Sequence, residues 1–138
     1  MSEHPVSIAI PVLWGDLDSF GHVNNARYFT WIEAARMAYF DAVGVQTSAR
    51  DMDVGPILAT TTCSFRAAVT YPDTVVVRAT VSHIGNTSFT MRYQVERAAG
   101  DVVAEASAVI VMVDYRTDQK VRVPEAVRAA IARVQGTG

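Results

Sequence analysis

The stretch WGDLDSFGHVNNARYFTWIEAAR, residues 14–36, decides how the rest of the chain is read. Its first half collects Asp16, Asp18, His22, Asn24 and Asn25 around Gly21. Its second half is rich in aromatic residues and alanine. Asn24 or Asn25 suits a helix N-cap, and Gly44 is a stop residue, so the spacing predicts a helix from Asn25 to Val43. At 100° per residue, Tyr28, Trp31, Ile32, Ala35, Ala38, Tyr39, Ala42 and Val43 share one half of that helix with no polar residue among them. The other half carries Arg27, Thr30, Glu33, Arg36 and Asp41, but also Phe29, Met37 and Phe40. A helix so apolar is expected to be buried on most of its circumference. Its three alanines on the apolar half would let a sheet approach closely.

Outward from the helix the pattern changes to strands. Ser7 to Trp14 reads as a strand with Pro11 inside it, so it belongs at an edge or carries a bulge. Gln46 to Pro56 reads as a loop, acidic at Asp51 and Asp53. Strands are expected at Ile57 to Thr70, Thr74 to His83, Thr87 to Arg97 and Val102 to Tyr115. Val75, Val77, Ala79 and Val81 alternate with polar residues, as do Phe89, Met91, Tyr93 and Val95, which is the mark of strands with one buried face. Val102 to Val113 is apolar on both faces except at Glu105 and Ser107 and should lie inside the sheet. A two-residue Gly85-Asn86 loop would set Val81 against Thr90. A longer turn with Gly85 or Asn86 at positive φ is expected instead, unless a bulge intervenes. Pro124 opens a short amphipathic helix, about 124–134, carrying Val127, Ile131 and Val134. The fold class is α+β: a curved antiparallel sheet wrapped around one long central helix, in a single domain 1–138 with its core in about 7–115.

The 138 residues are half hydrophobic and 19% charged, with a formal charge of −2. That balance implies neither a nucleic-acid nor a membrane partner. One cysteine, Cys63, cannot form an internal disulfide and falls in a strand pattern as a core filler. The N-terminus lacks the pattern of a secretion signal, so a cytoplasmic location is expected. No CxxC, HExxH or phosphate-binding Gly-rich loop is present, and no metal or cofactor is expected.

Chemistry is most plausible in the loop. The first N–H groups of a helix have no intrahelical acceptor, and with the helix dipole they form a site for negative charge. A thioester or ester carbonyl over the helix start would have its oxyanion held by the N–H of Asn25, with Asp18 beside it, ionised because the dipole favours its charge, across a dry pocket. The same residue types also suit a plain capping loop, since turns require Asp, Asn and Gly. A lone histidine such as His22 more often orders a loop than carries protons. Glu33 and Arg36 read most simply as an i,i+3 pair.

The residues Asp16, Asp18, Gly21, His22, Val23, Asn24, Asn25, Tyr28, Trp31, Glu33, Ala35 and Arg36, at this spacing, resemble the signature of the 4-hydroxybenzoyl-CoA thioesterase-like family of hotdog-fold acyl-CoA thioesterases. The likeness extends from residue 7 to about 115, through CSFRAAVTYPDTVVV, the HIGNTSF turn and the last long strand. It implies a hotdog fold and a homo-oligomer: a homodimer with two sheets joined edge to edge, or a homotetramer. It implies acyl-CoA substrates, with coenzyme A as part of the substrate, hydrolysed to a carboxylic acid and free thiol. Carried over by position, the catalytic carboxylate is Asp18, nucleophile or general base, the oxyanion donor is the amide of Asn25, and His22 is a third catalytic candidate. Tyr28, Trp31 and Ile32 would border the acyl pocket, although each also reads as plain core. Gly21 would shape the site. Arg66 and the turn Gly85-Asn86-Thr87-Ser88 would hold pantetheine or phosphates.

The pattern also resembles plant-type acyl-carrier-protein thioesterases, in which an asparagine and a histidine join the aspartate. The asparagine's position is Phe20 here, so His22 lacks that partner, and the chain is too short for two tandem hotdog units. Two alternatives stand beside hydrolysis. One is a hotdog-fold hydratase or dehydratase of acyl thioesters, which would make His22 essential. The other is a non-catalytic acyl-CoA binding module.

Overall fold

The computed structural model describes residues 4–45 and 53–136, so the expected acidic position Asp51 lies outside the described residues. Among the described residues, six strands form one antiparallel sheet, β1 (Val6–Pro11), β2 (Val54–Phe65), β3 (Thr74–Ile84), β4 (Ser88–Arg97), β5 (Val102–Asp114) and the two-residue β6 (Gln119–Lys120). Their order is β1-β3-β4-β5-β2, with β6 also paired to β5. The described residues also form two α-helices, α1 (Asn25–Val43) and α2 (Glu125–Gln135).

The helix bounds are those the sequence dictates. Asn24 caps α1 by accepting a hydrogen bond from the N–H of Ala26 at 3.0 Å, and Gly44 ends it in the left-handed conformation at φ 74°. Pro11 is the last residue of β1, an edge strand paired only with β3. The alternating sets of β3 and β4 are all buried. In register they face each other as Val77 with Val95, Ala79 with Tyr93 and Val81 with Met91. On the other side of β4, Ala104, Ala106 and Ala108 of β5 stand opposite Val95, Tyr93 and Met91, so small residues accommodate large ones. As expected, β5 is interior, flanked by β4 and β2.

Several expectations need correction. Strand β2 begins at Val54, inside the expected loop, and ends at Phe65 rather than Thr70. Beyond Phe65 the chain leaves the sheet so that Val69 can pack fully buried and accept the N–H of Val23 at 2.8 Å. The β3–β4 turn has neither Gly85 nor Asn86 at positive φ. The N–H of Gly85 donates to Ser88 at 2.7 Å, closing a short loop over Asn86 and Thr87, and a bulge between Val81 and His83 restores the apolar parity. In the chain as it stands, α1 is not buried all round. Thr30, Glu33, Ala34, Asp41 and Ala42 are exposed, and Phe29 is 37% exposed. Of the three alanines, Ala35 is fully buried, Ala38 half-buried and Ala42 exposed.

The expected Glu33–Arg36 pair is absent among the described residues. Arg36 turns inward instead, donating from Nε to the hydroxyl of Tyr93 at 3.1 Å, and is 6% exposed. Cys63 packs beside the core, and burial pushes its thiol up from its ordinary pKa, as suits a filler. No described helix is long and apolar enough to cross a membrane.

Candidate active site

The loop before α1 is built by hydrogen bonds that fix two aspartates in different roles. A short 3-10 turn, Trp14–Asp16, carries Asp16 inward, where it is 6% exposed. Its Oδ2 accepts the N–H of Leu13 at 2.8 Å, its Oδ1 lies 3.4 Å from Nε of Arg27, and its carbonyl accepts the N–H of Asn24 at 2.9 Å. Asp16 therefore ties the turn to the helix cap. Leu17 and Val23 bridge across the loop, and the N–H of Asp18 donates to the carbonyl of His22 at 2.7 Å. Gly21, at φ 80°, makes the reversal possible.

Asp18 faces outward from this frame. Its Oδ1 accepts the N–H of Phe20 at 2.8 Å and that of His22 at 3.3 Å. No donor among the described residues reaches its Oδ2. At the helix start, the N–H of Ala26 goes to the Asn24 side chain and the N–H of Arg27 to the Asn24 carbonyl. The N–H of Asn25 has no acceptor among the described residues.

Asp18, His22 and Asn25 line one cleft of about 340 Å³, together with Val23, Tyr28 and Arg66. Phe65, Ala67 and Ala68 form its remaining wall. Tyr28 stacks on Trp31 with ring centres 5.0 Å apart and leans on Phe65 at 4.9 Å. Burial raises the pKa of the Tyr28 hydroxyl, which keeps it neutral. Arg66 is ion-paired with Glu105 at 2.6 Å. The cleft is not dry in the single chain: Asp18, His22 and Asn25 are all exposed.

The expected residues are therefore partly brought together. Asp18, His22, Asn25, Tyr28 and Arg66 share the cleft; Gly21 shapes the loop behind it. Trp31 stands one layer back, and Ile32, with no exposure, belongs to the core. Gly85, Asn86, Thr87 and Ser88 are elsewhere. Ala68 of the cleft wall accepts a hydrogen bond from Arg97, which stands opposite Val75 at the Thr74 end of β3, whereas the turn follows Ile84, ten residues or about 33 Å beyond Thr74. There the carbonyls of Gly85 and Asn86 accept Nη2 of Arg128 at 2.7 and 2.9 Å. The wall formed by Phe65, Ala67 and Ala68 has no local signal. It depends on the long-range bond between Val23 and Val69.

An antiparallel sheet against a 19-residue helix, with an acidic loop at the helix start, defines the hotdog class. The chain belongs to the thioesterase-like superfamily, whose family model matches residues 12–131. Solved structures agree. The PA2801 protein of Pseudomonas aeruginosa is 31% identical with a TM-score of 0.84, over 94% of this chain and 99% of that one. A thioesterase of Thermus thermophilus, solved with coenzyme A and Zn, is 26% identical with a TM-score of 0.86, over 99% and 98%. The gentisyl-coenzyme A thioesterase BH1999 is 25% identical with a TM-score of 0.82, over 91% and 99%.

Proposed function

We propose that this chain hydrolyses acyl-CoA thioesters to a carboxylic acid and free coenzyme A. The observation that carries the reading is the meeting, in one cleft, of Asp18 Oδ2 and the N–H of Asn25, both without a partner among the described residues. The thioester carbonyl oxygen sits on that N–H, where the helix dipole adds to the attraction as negative charge develops. Asp18 then either attacks the acyl carbon, giving a mixed anhydride that water opens, or removes a proton from an attacking water. In both routes water supplies the new C–O bond, the C–S bond breaks, and the sulfur leaves with a proton. No metal or redox cofactor is invoked.

We assign Arg66, which lines the cleft and would exchange its exposed pairing with Glu105, to the phosphates of coenzyme A. The relatives solved with coenzyme A or named for a coenzyme A thioester support the substrate class. We read the assembly as a homodimer or a dimer of dimers joined along β2. A second copy would close the open cleft, cover Phe29, and bring a turn such as Gly85–Ser88 near it. The sheet would then enclose α1, and the location is read as cytoplasmic.

Asp18→Asn tests the reading. Thiol release from a panel of acyl-CoAs should fall by about 10²- to 10⁴-fold in kcat/KM, with the Tm unchanged. Near wild-type turnover would reject the catalytic role of Asp18. His22 lines the same cleft, which a hydratase would need. His22→Ala should lower hydrolysis only modestly, and complete loss together with hydration of an enoyl-CoA by the parent would favour the hydratase.

A further inference from the structure

A second recess lies further along α1, and a buried cation opens into it. Arg36, Met37 and Phe40 of the helix face Pro56 and Leu58 of β2 across a cavity of about 150 Å³. Tyr115 closes it from one end. Its ring lies so close to Gly55 that a Cβ there would come within 2.7 Å of it, and its hydroxyl donates to the carbonyl of Pro56 at 2.6 Å.

Arg36 is more than nine-tenths buried, yet among the described residues no carboxylate pairs with it. Its one hydrogen-bond partner among them is neutral: the Tyr93 hydroxyl accepts from Nε and itself donates to Sδ of Met91 at 3.4 Å. Both terminal nitrogens of the guanidinium are left without a hydrogen bond to those residues. Those nitrogens are not sealed off, and beside the Tyr93 ring, 5.7 Å away, they offer a planar fork of donors, the group that best matches a carboxylate.

The recess and the catalytic cleft lie along the same side of α1, between the helix and β2. Arg36 is eleven residues after Asn25, which places it about 20° round the helix from Asn25 and about 16 Å along the same face. The helix packs most closely on β1, β3 and α2, leaving β2 at a greater distance. The residues of β2 on the helix-facing side are those in register with the buried row Ala104 to Met112 of β5: Phe65, Cys63, Thr61, Leu58 and Pro56. Phe65 lines the first cleft, and Leu58 and Pro56 the second. Between them, Thr61 Oγ1 is a buried oxygen with no hydrogen-bond partner among the described residues. The face of β2 between the thioester site and Arg36 therefore carries no charged side chain.

We propose that Arg36 receives the far end of the acyl group, so that the preferred substrates are thioesters of medium-length acids ending in a second carboxylate. The inference rests on the hydrolase reading and names its substrate class. The test compares octanedioyl- and dodecanedioyl-CoA with octanoyl- and dodecanoyl-CoA by thiol release.

The wild type should favour the carboxylate-ended member of a pair at least tenfold in kcat/KM. In Arg36→Met that ratio should fall by about 10- to 100-fold, the loss of a charge-assisted hydrogen bond. Arg36→Lys, which keeps the charge, should retain part of the preference and stands in if the Met variant does not fold. A wild type preferring methyl-ended chains, or a ratio unchanged in Arg36→Met, overturns the proposal. Hydrolysis of neither series would sink the hydrolase reading instead. The recess is then decided by thermal shift with free dodecanedioate against dodecanoate: a larger shift with the diacid that Arg36→Met abolishes supports it, and equal shifts reject it.

Discussion

Asp16 and Asp18 stand two residues apart and face opposite ways. The first points into the fold, where its carboxylate holds the N–H of Leu13 and meets Arg27; the second points into the cleft. Their variants should therefore fail differently. Asp16→Ala leaves the part-buried N–H of Leu13 without its acceptor and Arg27 without its ion-pair partner and should cost about 1–2 kcal/mol of stability, with activity falling because the loop carrying Asp18 is released. Asp18→Asn should leave the melting curve in place. Denaturant unfolding of the two variants side by side measures the difference, and an Asp16→Ala protein as stable as the parent would show that the turn does not depend on this carboxylate. The sequence makes both acids visible but not their division, which follows from the 3-10 turn rotating Asp16 inward. Arg36 is a similar case. Its i,i+3 spacing from Glu33 suggests a surface pair, and only Tyr93, 57 residues away, draws it inside.

At the scale of elements, α2 completes a strand that its neighbour leaves unfinished. Strand β1 begins at Val6, opposite Ala79, so the later part of β3 has no β1 residue beside it. Gln135, at the end of α2, takes over: its Oε1 accepts the N–H of Val81 at 3.1 Å and the hydroxyl of Tyr39, and its Nε2 donates to Oγ1 of Thr80 at 2.8 Å. Gln135→Ala should cost about 2–3 kcal/mol, read as a loss of about 5–10 °C in Tm, and should speed amide exchange at Val81. Unchanged exchange there would show that water replaces the side chain without cost. Legibility at this scale follows the range of the signal. Asn24, Gly44 and the alternation in β3 and β4 are local cues, and the elements they mark fall where expected. The start of β2 is hidden because Gly55 and Pro56 read as loop residues, while Gly55 is needed there for the approach of Tyr115, sixty residues away. The bulge after Val81 is invisible for the same reason, since parity constrains the sum of turn and bulge but not their division.

Over the whole molecule, ionisation should limit stability at both ends of the pH range, by different physics. Burial raises the pKa of Tyr28, Tyr39, Tyr93 and Tyr115, that of Tyr39 by a large amount. The folded state thus keeps protons that an unfolded tyrosine releases at about pH 10. This contribution is complete below that pH and declines above it, with Tyr39 alone giving a slope of up to about 1.4 kcal/mol per pH unit. At the acid end, hydrogen bonds from Arg97 to Asp101 and from Arg116 to Asp114 hold both carboxyl groups below their ordinary pKa. Their contribution is present above the unfolded value of about 4 and is lost as pH falls through the folded values. Asp101 is exposed and Asp114 half-buried at the surface beside an exposed arginine, so salt screens both pairs, whereas the phenols are desolvated and salt reaches them far less. Chemical denaturation at pH 3 and pH 10.5, each at low and high ionic strength in urea, should therefore show a salt-dependent acid limb and a salt-independent alkaline one. Tyr39→Phe should flatten the alkaline limb while lowering stability at neutral pH, because the bond to Gln135 goes with the hydroxyl. A decline above pH 10 as steep in Tyr39→Phe as in the parent would place the responsible proton elsewhere.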